Sequence, residues 1–148
     1  MPTRFAIAAL VLSCIAIALA YALAFLPGGA PSIAPWGLAL GSAGALSAMI
    51  ALGAARGGRV RPVALVASLL TFVAVGGAFG AALLLPPDET TGMTIVLGFP
   101  LRTAIVLYGV GIVPLFFLPL AYAMSFDADT LSDADLERVR AAAREFHE

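Results

Sequence analysis

Side chains that could do chemistry are few in this sequence. It has one cysteine, Cys14, and one histidine, His147, next to the C-terminal residue. Disulfide exchange needs paired thiols, and zinc or haem sites need several Cys or His ligands. A serine nucleophile needs a neighbouring base, and no His or Lys accompanies the serines of the apolar stretches, which are Ser13, Ser42, Ser47 and Ser68. We therefore expect no enzyme activity, no metal site and no cofactor.

Composition assigns the chain to a membrane. Of its 148 residues 61% are hydrophobic and 11% charged, with a mean hydropathy of +1.03. Soluble domains are about half apolar and about a quarter charged. The apolar content excludes a disordered chain, the single cysteine excludes a disulfide scaffold, and the net charge of −1 argues against a nucleic-acid partner. The expected partner is the lipid bilayer.

Four long stretches contain no Asp, Glu, Lys, Arg or His, and they run over residues 5–26, 36–55, 63–85 and 103–124. A helix of about 20 residues crosses a hydrocarbon core of about 30 Å. The sequence therefore predicts an all-α, integral membrane four-helix bundle over residues 1–125. Proton-coupled exporters keep a carboxylate inside a span, and none is present here.

Arginines predict the orientation, because basic residues stay on the cytoplasmic side during insertion. Arg4 precedes the first span, three arginines fill the second link, and three follow the fourth span: Arg56, Arg59 and Arg61, then Arg138, Arg140 and Arg144. The charged residues of the other two links are Asp88, Glu89 and Arg102. We expect Arg102 to reach up to the lipid phosphates, with a pair to Asp88 or Glu89 as the alternative. Both termini are therefore expected in the cytoplasm.

Small residues at helical spacing are typical of close helix packing in lipid. The candidates are Gly37, Gly41 and Gly44 in the second stretch, Gly76 and Gly80 in the third, and Gly109 in the fourth. Their contacts are expected within this chain, with a partner as the alternative. Cys14 is expected to be a buried, inert thiol, and Trp36 an anchor at the membrane interface.

Two further segments of the fourth-span region carry expectations. Residues 93–99 are apolar but too short to cross a bilayer, so they lie at the outer surface, re-enter it shallowly, or pack on a partner. Pro114 and Pro119 each remove a backbone donor and should loosen the helix one turn earlier.

Residues 126–148 are predicted to form a cytoplasmic, acidic, amphipathic tail. Residues 125–148 hold seven of the nine acidic side chains, and Ser132 starts a predicted helix. Leu136, Val139 and Phe146 fall on one face of it. This face needs cover from lipid headgroups, the cytoplasmic loop or another subunit.

The second half of the chain resembles a known family. Gly98-Phe99-Pro100-Leu101 is followed after seven residues by Gly109, and the apolar run reaches Tyr122. This pattern is similar to the small membrane subunits that accompany bacterial sodium:solute symporters. Those subunits have two spans, so the first two spans here have no counterpart in them.

The resemblance implies an accessory subunit that supports assembly of a larger polytopic transporter, or its uptake of a small organic solute. It also implies a bacterial or archaeal cytoplasmic (inner) membrane. Two alternatives remain open. One is a self-associating scaffold, which would be a homo-oligomer. The other is a lone channel that conducts through carbonyls freed at Pro114 and Pro119.

Overall fold

The computed structural model describes residues 2–86 and 94–116, together with 118, 119, 123, 137, 138 and 140. This described part is mostly helical and contains four helices. They are α1 (Thr3–Ala24), α2 (Ala34–Gly53), α3 (Pro62–Leu84) and α4 (Leu101–Val106), which continues as a π-helix over Leu107–Ile112 and then as helix to Phe116. Only residues 137, 138 and 140 of the predicted tail helix are described, so that helix stays a prediction, and Tyr122, Leu136, Val139 and Phe146 lie outside the described part.

Three helices are long and apolar enough to cross a membrane, and they are α1, α2 and α3. The fourth predicted span is described without a gap as far as Phe116, and beyond it only at residues 118, 119 and 123. All four helices begin one or two residues before the predicted spans. The reason is that a helix starts at its backbone cap, so α1 includes Arg4 and α4 includes Arg102, whereas the predicted spans begin after the charge.

Consecutive helices pack against each other in an antiparallel row. The extensive contacts between described helices are those of α1 with α2, α2 with α3, and α3 with α4 and its π-helix. Because α1 packs extensively against α2 alone, most of its circumference is uncovered. Among the described residues the arrangement is therefore an open row.

A short β-hairpin joins α2 to α3, and another precedes α4. The first pairs β1 (Ala55–Arg56) with β2 (Arg59–Val60), and the second pairs β3 (Ile95–Val96) with β4 (Phe99–Pro100). Each has a two-residue turn with positive φ at both positions, as in type I′ turns. Neither hairpin is among the predicted elements, although Gly-Gly between short runs is a hairpin signal.

The N-terminus is attached to the first hairpin. Pro2 forms an antiparallel bridge with Arg59, and the Thr3 amide donates to the Gly58 carbonyl at 3.1 Å. Val60 is buried in a cluster with the alanines at positions 6, 51 and 64. The N-terminus and the α2–α3 link therefore lie at one end of the row, which we call the basic end.

The buried and the exposed side chains of the row differ in size rather than in polarity. Apart from two valines, every buried hydrophobic residue is alanine: Ala6, Ala20, Ala34, Ala39, Ala43, Ala48, Ala51, Ala64, Ala67, Ala78, Ala82 and Ala104, with Val60 and Val75. Large apolar side chains such as Leu12, Leu69 and Phe116 are exposed. Water would penalise this surface heavily, whereas lipid tails would not.

A side-chain hydrogen bond joins α3 to α2. The Ser68 hydroxyl donates to the Ser47 carbonyl oxygen at 2.7 Å, while the Ser47 hydroxyl donates to Ala43 within its own helix. Within the described residues, no buried side-chain polar atom is left without a partner.

Replacing Ser68 with alanine should therefore weaken the α2–α3 contact by about 0.6 kcal/mol, the average for such bonds in membrane helices. The matched control is Ser47→Ala, which removes a hydroxyl that bonds only within α2. Unfolding in mixed micelles with increasing dodecyl sulfate measures both variants. If the loss for Ser68→Ala were no larger than the loss for the control, this bond would have no role between the helices.

Candidate functional site

A metal-binding cluster is not found in the described part of the chain. No group of three or more His, Cys, Asp or Glu side chains comes together among the described residues. Cys14 is exposed, so the prediction of a buried thiol is wrong. The cause is the open row, because α1 is covered by α2 on one face only. His147 lies outside the described residues.

Three glycines of α2 lie against α1. A Cβ built on Gly41 would lie 2.7 Å from Cγ1 of Ile17 and 3.1 Å from the Ser13 carbonyl oxygen. A Cβ on Gly37 would lie 3.1 Å from that of Ala20, and the Ser13 hydroxyl occupies the place of a Cβ on Gly44. At Gly41 the backbone of α1 approaches too closely for a side chain, whereas at Gly37 and Gly44 the close atoms belong to side chains of α1.

The glycines of α3 and of the π-helix also face neighbouring helices of this chain. A Cβ on Gly76 would lie 3.4 Å from that of Ala43, and a Cβ on Gly80 would lie 3.4 Å from the Trp36 ring. Trp36 is half-buried, so its ring packs on α3 at the entrance of α2. A Cβ on Gly109 would collide with the Cβ of Ala78.

All six packing glycines predicted from the sequence thus contact a neighbouring helix of the same chain. Their faces are already occupied, so they offer no free groove to a partner. A surface for a partner must be looked for elsewhere, on the uncovered face of α1 or at the ends of the row.

Four residues that carry the family resemblance form one structural unit. Gly98 is the second turn residue of the second hairpin, with φ of 86°. Phe99 and Pro100 form β4, and Leu101 is the first residue of α4. The Leu101 amide donates to the Thr94 carbonyl at 3.0 Å, which ties the start of the helix to the start of the hairpin.

Apolar side chains cover the tip of this hairpin, which we call the apolar hairpin (Ile95–Pro100). Ile95 is 66% exposed, Leu97 79% and Phe99 41%. None of the residues 94–101 is charged. Residues 95–100 form a β-hairpin that leads directly into α4, and this geometry is compatible with all three interpretations of residues 93–99.

Leu97 has an unfavourable backbone conformation. Its φ is 50°, and it is the one non-glycine residue with positive φ in the described part. The left-handed region costs a residue with a Cβ about 1–2 kcal/mol. The equivalent position of the first hairpin is Gly57, which has no such cost. Burying a leucine side chain is favourable by about 1.5–3 kcal/mol of free energy, so contact with lipid or protein would offset the strain at Leu97.

A shallow groove of about 220 Å³ lies between α2 and α3. Its lining is apolar, including Leu38, Phe79 and Leu83, with Ser42 as the hydroxyl-bearing residue. Such a lining fits a hydrocarbon chain or an apolar side chain, and it supplies no group for a reaction.

The π-helix of the fourth span follows from proline. It covers Leu107–Ile112, directly before Pro114, where the missing amide hydrogen frees a carbonyl one turn earlier. The predicted loosening of the helix before Pro114 is confirmed. Gly109 lies in the widened turn, and it contacts Ala78 of α3.

Comparison with protein-family models, with curated proteins and with solved structures finds no match to this chain. The similarity to symporter subunits therefore remains an expectation that depends on residues 98–101, Gly109 and the apolar run after them.

Replacing Gly109 with alanine should destabilise the protein by about 1–3 kcal/mol, because the new methyl group overlaps Ala78. Gly111 is the matched control in the same π-helix, since a Cβ there meets nothing within 4 Å. Gly111→Ala should be neutral or slightly stabilising. Unfolding in mixed micelles tests the pair, and equal effects would show that the α3 contact does not require glycine.

Replacing Leu97 with glycine should stabilise the isolated protein by up to about 1 kcal/mol, because the strain at this turn disappears. Gly98→Ala should have the opposite effect, since φ at that position is 86°. Thermal unfolding in detergent measures both changes. A loss of stability in Leu97→Gly would show that the leucine is already held by contacts within this chain.

Proposed function

We propose that this chain is a non-catalytic, multi-pass integral membrane protein that acts as an accessory subunit of a larger transporter. The expected transporter is of the sodium:solute symporter type, and the subunit supports its assembly or its uptake of a small organic solute. Both termini face the cytoplasm of a bacterial or archaeal cell, in the inner membrane.

Membrane placement is supported by the distribution of side chains. The interior of the row is built from alanine and glycine, and large apolar side chains cover its surface. Three helices have sufficient length and hydropathy to span a bilayer. In lipid, exposing these side chains has no free-energy cost, because leucine is as apolar as the lipid tails.

A passive role is supported by the absence of ionisable groups in the spans. From Phe5 to Gly53, and again from Pro62 to Leu84, the helices carry no Asp, Glu, Lys, Arg or His. Ion-coupled carriers and membrane enzymes keep such groups inside, despite their cost, because the chemistry needs them. This protein is therefore better suited to hold another protein than to move an ion by itself.

The apolar hairpin is the observation that carries the accessory role. Exposed Ile95, Leu97 and Phe99 form its tip, and Leu97 stays in a strained conformation that glycine would relieve. Apolar side chains displayed on a rigid turn are typical anchors of a protein interface. The segment includes three residues of the family-like box, which is the part of the sequence that resembles symporter subunits.

Self-association remains the alternative, and α1 is the surface that favours it. Leu12, Ile15 and Leu19 are exposed on this helix, which packs extensively only against α2. The glycine faces do not add to this surface, because neighbouring helices of the same chain already cover them.

Photo-crosslinking in native membranes distinguishes the two. Leu97 is replaced by benzoylphenylalanine in the tagged full chain, and Ser32, an exposed residue of the α1–α2 loop, receives the same probe as a control. We expect position 97 to give one adduct with a polytopic transporter, identified by mass spectrometry, and position 32 to give none. An adduct between two copies of this chain would support self-association, and the absence of any adduct at 97 would contradict docking through the hairpin.

A functional assay complements the crosslink. Deleting the gene for this chain should lower uptake of the transporter's solute severalfold. The variant Leu97→Asp should lower it comparably, because a charge is costly at an apolar contact. Uptake that is unaffected by either change would refute the accessory role, even if a crosslink were found.

A further inference from the structure

The basic end of the row carries a second unit, built from the two strands of the first hairpin and the bridged residue Pro2. Pro2 bridges to Arg59, and both the amide and the hydroxyl of Thr3 donate to the Gly58 carbonyl, at 3.1 and 3.3 Å. The first hairpin and the residues before α1 are thereby joined. We call this unit, residues 2–4 with 55–61, the basic platform.

Packing fixes the platform on the helices. Val60 is 3% exposed and lies in the cluster with Ala6, Ala51 and Ala64, which belong to the three long helices. Side chains alternate along a strand, so the burial of Val60 is accompanied by the exposure of Arg59. The platform therefore has a defined inner side and a defined outer side.

Like charges are concentrated on this unit. Arg56 and Arg59 are directly opposite each other in the strand register, and Arg4 and Arg61 lie at its margins. Like charges directly opposite in a strand pair are unfavourable. The first 87 residues of the chain include no Asp or Glu.

Exposed apolar side chains adjoin the arginines. Phe5 follows Arg4, and its ring lies 5.5 Å from the guanidinium carbon of that residue. Val63, at the start of α3, is exposed next to Pro62. Guanidinium groups at the rim of an apolar helix surface match a molecule that has a phosphate beside hydrocarbon chains.

We propose that the basic platform binds the phosphate groups of anionic phospholipids in the leaflet at that end of the row. The inference uses the membrane placement proposed above, but it is independent of any transporter partner. The platform follows the last turn of α2 and precedes the first turn of α3, so it lies at the depth where a spanning helix leaves the hydrocarbon. A polybasic segment at that depth attracts anionic lipid.

Lipid titration of the full-length protein in neutral mixed micelles tests this. Phosphatidylglycerol should raise the temperature of thermal unfolding, and phosphatidylcholine should have a much smaller effect. Arg59→Gln should weaken the apparent affinity for phosphatidylglycerol about fivefold, as expected for losing one basic residue near an anionic surface. Arg59→Lys should retain more than half of the shift, because the charge is kept.

Arg140→Gln is the matched control, since Arg140 is an exposed arginine of the C-terminal tail, outside the platform. It should leave the response to phosphatidylglycerol unchanged. An equal loss in Arg59→Gln and Arg140→Gln would overturn the proposal, because the lipid effect would then reflect net charge alone. Equal shifts with the two lipids in the unaltered protein would overturn it as well.

Two further arms separate lipid from other anions. Inorganic phosphate alone should give no shift, and a shift equal to that of the lipid would assign the platform to a soluble anion. The acidic tail is tested with the variant Asp133→Asn, Asp135→Asn and Glu137→Gln. If only this variant responded to phosphatidylglycerol, the acidic tail would occupy the basic platform in the unaltered protein, and the proposal would be wrong.

Failure of this proposal is distinguishable from failure of the proposed function. The crosslink at position 97 reports on the apolar hairpin, whereas the lipid titration reports on Arg59. Extraction of native membranes with alkaline carbonate tests the shared premise, because an integral protein stays in the pellet.

Discussion

Contact between helix backbones at glycine and alanine is the interaction on which the rest of this structure depends. At Gly37, Gly41 and Gly109 an added Cβ would lie closer to the neighbouring helix than ordinary van der Waals contact allows. In lipid there is no hydrophobic drive to bring helices together, so van der Waals fit must do so, and small residues allow the closest fit. The large side chains are displaced to the outer surface as a consequence.

A β-hairpin with the same type of turn lies at each end of the row, but the side chains around the two turns differ in chemistry. Each hairpin has a two-residue turn with positive φ, formed by Gly57-Gly58 at one end and Leu97-Gly98 before α4. The first is flanked by arginines, and the second by apolar residues. The tight turn places two arginines in register in the first case, and it displays an apolar tip in the second. This difference supports separate partners for the two hairpins.

The long charge-free stretches predicted the three long helices to within one or two residues, because a span must be long and apolar whatever its neighbours are. Proline likewise predicted the loosened turn before Pro114. The hairpins were missed since two-residue strands have too little periodicity to detect, although Gly57-Gly58 was a usable signal. The exposure of Cys14 was not predictable, because it depends on which helices cover α1.

Collision accessibility at Cys14 tests the lipid-facing surface most directly. This residue is the one cysteine of the chain and lies exposed in the middle of α1, so a nitroxide can be attached without any substitution. In reconstituted bilayers the account predicts high accessibility to oxygen, which concentrates in lipid, and low accessibility to a polar nickel chelate. High accessibility to the nickel chelate would contradict it, because α1 would then face water.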